Sequence, residues 1–186
     1  MDLSSLRILT LPGWGNSGLH HWQTRWQAAF GHQRVEQADW EAPTRPDWVA
    51  RLEHSLQTTP QPSVLVAHSL GCHLVAHWAA AAADTRGVRA AFLVAPPDVA
   101  RVGFPPSMQS WRTEARQRLP FPTLVVYSSD DPYASSEHAL GLARSWGADT
   151  FCVGAAGHIN ADSGLGDWPE GLRQFHALIA RIATTA

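Results

Sequence analysis

Charge is scarce in this chain. Only 16% of its 186 residues are Asp, Glu, Lys or Arg, and they leave a formal net charge of −2. No long basic run occurs, which excludes a nucleic-acid backbone as the expected partner. Cysteine is scarce as well. Cys72 and Cys152 lie in apolar runs and make neither a disulfide framework nor a metal-ligand spacing. They read as buried thiols in a reducing, cytoplasmic setting. No apolar stretch nears the ~18 residues that a membrane-spanning helix needs, and the alanine run 79–83 reads as a helix end. The start, Met1-Asp2-Leu3-Ser4-Ser5-Leu6-Arg7, lacks the basic opening and long apolar core of a signal peptide. Disorder is excluded by an apolar content of 45%. The length suits one domain, 1–186, with a sizeable core.

What is present is an alternation of apolar β-type runs with helical stretches. Strands are expected at Arg7–Leu11, Val35–Ala38, Ser63–Ala67, Ala90–Val94, Thr123–Tyr127 and Thr150–Val153. Helices are expected at His20–Phe30, Pro46–Gln57, Leu70–Ala82, Glu137–Trp146 and Trp168–Ile182, with Asp167 and Glu170 at capping-box spacing for the last. This order predicts an α/β fold, a mostly parallel sheet of about six strands covered on both faces. The proline-rich segment 95–120 is the one irregular insertion. It follows a strand end, so it is expected on the active rim as a small lid.

The chemistry centres on Ala67-His68-Ser69-Leu70-Gly71. A small-x-Ser-x-Gly pentapeptide is common by chance. Here an apolar strand precedes it and an alanine-rich helix follows at once, the context of a nucleophile elbow. Ala67 stands where a glycine is usual, and it is small enough to keep strand and helix close. A serine hydroxyl needs a general base and a carboxylate to orient that base. In this arrangement the acid and then the histidine follow the serine along the chain. Ser128-Ser129-Asp130-Asp131-Pro132-Tyr133 lies just past a strand end, and Asp131, directly before the turn-making proline, is preferred to Asp130. His158, in Gly157-His158-Ile159, is the histidine on a rim loop in the right order. His32 and His54 read as surface residues, His176 as a helix histidine. His68 is on the elbow itself, with its side chain expected to diverge from Ser69. The oxyanion donors expected are the N–H groups of Leu70 and of Trp14, in the loop Pro12-Gly13-Trp14-Gly15-Asn16. Trp14 and Trp111 are the residues expected to line the acyl pocket.

Two other chemistries have formal support. His73 and His77 are four apart on a helix, as in a zinc pair, but Leu74 stands where a metalloprotease needs glutamate, so no metal is expected. Gly13-x-Gly15-x-x-Gly18 with Asp39 matches a dinucleotide fingerprint. It leaves Ser69, Asp131 and His158 unexplained, so no cofactor is expected either.

Several longer blocks resemble one family. They are Pro12-Gly13-Trp14-Gly15-Asn16-Ser17 with His21-Trp22, the elbow, Val94-Ala95-Pro96-Pro97-Asp98, Ser128 to Tyr133, Gly157-His158-Ile159-Asn160 and Ser163 to Pro169. The chain resembles the small α/β-hydrolases related to retinoblastoma-binding protein 9, compact serine hydrolases common in bacteria. The resemblance implies a single-domain α/β-hydrolase with little or no cap and a triad at Ser69, Asp131 and His158. Such proteins are described as esterases on model esters. The retinoblastoma-pocket motif Leu-x-Cys-x-Glu is absent, so that binding role does not carry over. The expected partner is a small-molecule acyl substrate, with no nucleic acid and no membrane. The rival is a hydrolase-fold module that binds a protein or small ligand without catalysis.

Overall fold

The computed structural model describes residues 6–184. Met1–Ser5, and with them most of the amino-terminal stretch read for a signal peptide, lie outside the described residues, as do 185–186.

Six strands form one sheet: β1 (Arg7–Leu11), β2 (Gln33–Arg34), β3 (Ser63–His68), β4 (Val88–Val94), β5 (Thr123–Tyr127) and β6 (Asp149–Cys152). The order is β2-β1-β3-β4-β5-β6, and every pairing is parallel. Parallel neighbours need crossovers: α1 (Trp22–Phe30), α2 (Arg45–Gln57), α3 (Leu70–Ala81) and α4 (Ser136–Trp146) supply four of them, residues 95–122 join β4 to β5, and α5 (Pro169–Thr184) follows β6.

The strand period of two sorts the core into two layers. Leu65, Ala67, Ala91, Leu93 and Val125 point to one face, with Trp48, Leu52, Leu74, Trp78 and Trp146 from α2, α3 and α4. Val64, Val66, Phe92, Val94 and Val126 point to the other, with Trp22 and Trp26 of α1 and Phe175 and Leu178 of α5. Full burial of side chains this large stabilises by roughly 2–3 kcal/mol each. No helix among the described residues is long and apolar enough to cross a membrane.

Local chemistry moves several boundaries. α1 starts at Trp22 because His21 is its N-cap, Nδ1 accepting from the Gln23 N–H. The strand expected at Val35–Ala38 pairs earlier, at Gln33–Arg34. α5 starts with Pro169, a favoured first helical residue. The capping box expected from Asp167 and Glu170 is not made. Asp167 pairs with Arg25 at 2.8 Å, and Trp168 between them has φ +46°. A capping box forms instead at Asn160 and Ser163.

Two expectations about burial are corrected. Cys152 is exposed, because β6 is an edge strand with one neighbour. Cys72 is buried as expected, and burial pushes its thiol pKa up. His32 is not a free surface residue: it packs among Trp26, Phe30 and Phe175.

Candidate active site

The carboxyl ends of β1, β3, β4, β5 and β6 open on the same rim, where a parallel sheet places its ligands. The turn from β3 to α3 puts Ser69 at φ +54°, ψ −125°, a conformation that a non-glycine residue adopts only under constraint. The constraint is packing. A Cβ on Gly71 would lie 2.3 Å from the Leu11 carbonyl oxygen, so only glycine lets α3 start this close to the end of β1. The Pro12–Trp14 loop presses on the elbow from the other side. A Cβ on Gly13 would lie 2.7 Å from Ser69 Cβ.

The structure brings Ser69, His158 and Asp131 into one chain of hydrogen bonds. Ser69 Oγ lies 2.8 Å from His158 Nε2, and His158 Nδ1 lies 2.9 and 3.0 Å from the two oxygens of Asp131. A carboxylate only accepts, so Nδ1 carries the ring proton and Nε2 presents its lone pair to the serine hydroxyl. The His158 and Asp131 side chains are 9% and 4% exposed, so the pair is shielded from water.

Asp130 does something else. It accepts from Ser128 Oγ at 2.7 Å and from the Gly157 N–H at 2.8 Å, anchoring the loop that carries His158. Those two bonds, the Ser128 one first, hold its carboxyl below the usual range. The Ile159 carbonyl, just past His158, is fixed by Trp22 Nε1 at 2.9 Å.

The N–H groups of Leu70 and Trp14 meet no acceptor among the described residues. They flank Ser69 from the helix start and from the Gly13 loop. This loop is pressed onto the serine turn, which fits an oxyanion donor better than a dinucleotide cradle. Asp39, the acid of that fingerprint, instead accepts from the N–H groups of Glu41 and Ala42 in a turn.

A cavity of about 350 Å³ opens beside Ser69. Trp14 lines it, half exposed, its Nε1 donating to the Glu41 carbonyl. Trp111 does not line it, contrary to expectation. Its ring is fully buried against Trp48, and its Nε1 donates to the Pro43 carbonyl at 3.0 Å. The short 3₁₀ turn Pro106–Trp111 directs this tryptophan inward, and the pocket takes Phe104 and Met108 from the same 95–120 segment instead. That segment stands on the rim, as expected.

Three further residues pack at the site. Tyr133 packs its ring 4.5 Å from that of His158, and Arg101 stands over Tyr133. His68, on the elbow, packs its ring 4.9 Å from that of His158. Its Nε2 donates to the His158 carbonyl at 2.9 Å. Burial first, then the neighbouring His21 and His158, hold His68 well below the ordinary histidine range. Burial, then Arg34 and His158, lower His21 to about 4.

The histidines of the zinc-pair reading face different carbonyls, His73 that of Pro97 and His77 that of Thr113. Asp98, Glu114 and His138 do come together. Each nitrogen of His138 faces a different carboxylate, Nδ1 at 3.8 Å from Asp98 and Nε2 at 2.9 Å from Glu114. Arg116 holds the other Glu114 oxygen at 2.7 Å. These contacts, Glu114 first, raise the His138 pKa.

Comparison with known proteins agrees with this architecture. A YdeN-like hydrolase of Pectobacterium atrosepticum is 31% identical over 95% of this chain and 92% of its own, with a TM-score of 0.83. The ydeN gene product of Bacillus subtilis is 20% identical over 94% and 98%, with a TM-score of 0.74. The esterase RhEst1 of a Rhodococcus species shares the fold at 12% identity over 96% and 92%, with a TM-score of 0.70. The search of curated proteins returned no match. The family model described as serine hydrolase matches residues 8–177, nearly the whole chain, and the protein therefore belongs to the serine hydrolase family, on an α/β-hydrolase fold.

Proposed function

We propose that the protein is a carboxylesterase acting on a small acyl ester through Ser69, His158 and Asp131. The observation that carries the reading is the contact of Ser69 Oγ with Nε2 of His158, at 2.8 Å. Ser69 Oγ attacks the acyl carbon as Nε2 takes its proton. Asp131 holds the imidazole in the right tautomer and stabilises its charged form. The N–H groups of Leu70 and Trp14 take the developing oxyanion. His158 then returns the proton to the departing alkoxide, leaving an acyl-serine. Water then attacks the acyl carbon, its proton passes to Nε2 and on to Ser69 Oγ as the acyl–Oγ bond breaks, and the acid is released. These steps draw on no cofactor or metal.

The relation to the retinoblastoma-binding protein 9 group belongs to this proposal and rests on the sequence blocks. A reducing cytoplasm suits the free thiols Cys72 and Cys152. The direct test is a fluorophosphonate probe on wild type and Ser69→Ala, with the modified residue read by peptide mass spectrometry. Label on Ser69 alone, absent from the variant, is expected. Well-folded wild type that takes no label would refute the reading and favour a non-catalytic binding module.

A further inference from the structure

Arg101 is a cation on the cavity wall that no anion among the described residues answers. Its Nη1 donates to the Pro132 carbonyl at 2.8 Å, and its guanidinium carbon stands 4.9 Å from the centre of the Tyr133 ring. Both partners are neutral. Among the described residues its side chain makes no ion pair, and its Nε and Nη2 meet no acceptor. A guanidinium offers five donors in a fork that matches an oxyanion group, and here only one is used.

The carboxylates nearby are already engaged. Asp98, the one acid among the cavity-lining residues, accepts from the Ala100 N–H at 2.9 Å and faces His138. Asp131 gives both oxygens to His158. Arg101 is also close to the chemistry: the Tyr133 ring beneath it lies 4.5 Å from the ring of His158. Leu70, Phe104, Pro105 and Met108 supply an apolar wall around the same cavity.

We infer that the substrate carries an anionic oxygen group, separated from its ester bond by a short apolar spacer, and that Arg101 binds that group. This rests on the esterase reading and adds a substrate class to it: half-esters of diacids, or esters whose leaving group is acidic. The anion pairs with the free donors of Arg101, and the spacer lies along the apolar wall.

Ester pairs that differ in charge test it. Mono-p-nitrophenyl adipate has its carboxylate on the acyl side, with p-nitrophenyl hexanoate as the neutral counterpart. The hexanoate ester of p-hydroxybenzoic acid has it on the leaving group, with the corresponding methyl benzoate as counterpart. In the pair that matches the site, the anionic-to-neutral ratio of kcat/KM should fall roughly tenfold from wild type to Arg101→Gln, the worth of a charged hydrogen bond. Arg101→Lys should keep part of it. The responding pair assigns the charge to the acyl or the leaving side. Loss of the Pro132 contact alone would slow both members of a pair and leave the ratio alone. An unchanged ratio in both pairs overturns the inference.

A binding arm separates this failure from failure of the esterase reading. Ser69→Ala, which cannot turn over, is titrated with monomethyl and dimethyl adipate and with p-hexanoyloxybenzoate and its methyl ester, and then again with Arg101→Gln added. Tighter binding of the monoanion that vanishes in the double variant supports the inference even if no ester is cleaved. Equal affinities for the two adipates, and likewise for p-hexanoyloxybenzoate and its methyl ester, overturn it even if Ser69 labels normally.

Discussion

His68 donates from Nε2 to the main-chain carbonyl of His158, across 90 residues of sequence. One bond thus ties the end of β3, just before the serine, to the loop that carries its base. His68→Phe keeps the ring's bulk and leaves the His158 carbonyl without a donor. Its kcat should fall about tenfold, because small displacements of a catalytic group are costly, and KM should barely change. His68→Gln, which can donate, should recover part of the loss. Steady-state kinetics on p-nitrophenyl butyrate, with a melting curve for each variant, would show it. Wild-type kcat in His68→Phe would mean that the bond does not position the base.

The two adjacent aspartates should separate cleanly. Asp131→Asn puts an amide against His158 Nδ1 and favours the wrong tautomer, which costs about 10⁴ in kcat in such triads. Asp130→Asn weakens only the anchor to Gly157 and Ser128. It should cost less than about tenfold, as one displaced hydrogen bond does. The reverse order of damage would move the acid to Asp130.

Gly71→Ala should be a folding defect. Its Cβ would lie 2.3 Å from the Leu11 oxygen, a backbone atom with no freedom to retreat. A loss of about 2–4 kcal/mol is expected, typical of overpacking at a fixed backbone. Denaturant unfolding checks it. A variant as stable as wild type would show that α3 can shift off β1.

Acid should unfold the protein early. Burial, before any charged neighbour, pushes His21, His32 and His73 down to about 4, and holds His68 well below the ordinary histidine range. In the unfolded chain each takes up a proton near pH 6.5. Between these values the unfolded state binds more protons, so stability is full above about pH 6.5 and is lost as pH falls toward 4. The combined loss is on the order of several kcal/mol. Melting temperatures at pH 7, 5.5 and 4.5 should drop in that order. A constant value across the range would contradict this.

Much of the arrangement was legible because it is local. β1 and β5 begin and end where their apolar runs do, and the strand–serine–helix turn is contiguous in sequence. The order serine, acid, histidine along the chain pointed to His158 and to the Asp130-Asp131 pair, and the proline that follows favoured Asp131. Contacts made across the fold left no such trace. Trp111 sits a few residues from the cavity wall, yet whether it faces cavity or core depends on Trp48 of a different helix. Cys152 lies in an apolar run, but an edge strand leaves it uncovered. β2 was misplaced because its pairing with β1 is a backbone matter, while Val35 next to it supplies the apolar signal. Arg101 reaches its place through the irregular 95–120 segment, which has no period to read.

The loop bearing His158 hangs from β6, four residues at the sheet margin, mostly exposed and paired on one side only. The serine, by contrast, follows β3, every residue of which is buried. Opening at a sheet margin is the cheapest excursion such a fold can make. Warming should therefore withdraw the proton acceptor while the interior is still intact. The temperature at which turnover fails would lie below the calorimetric midpoint, and brief cooling would restore it without refolding of the whole chain.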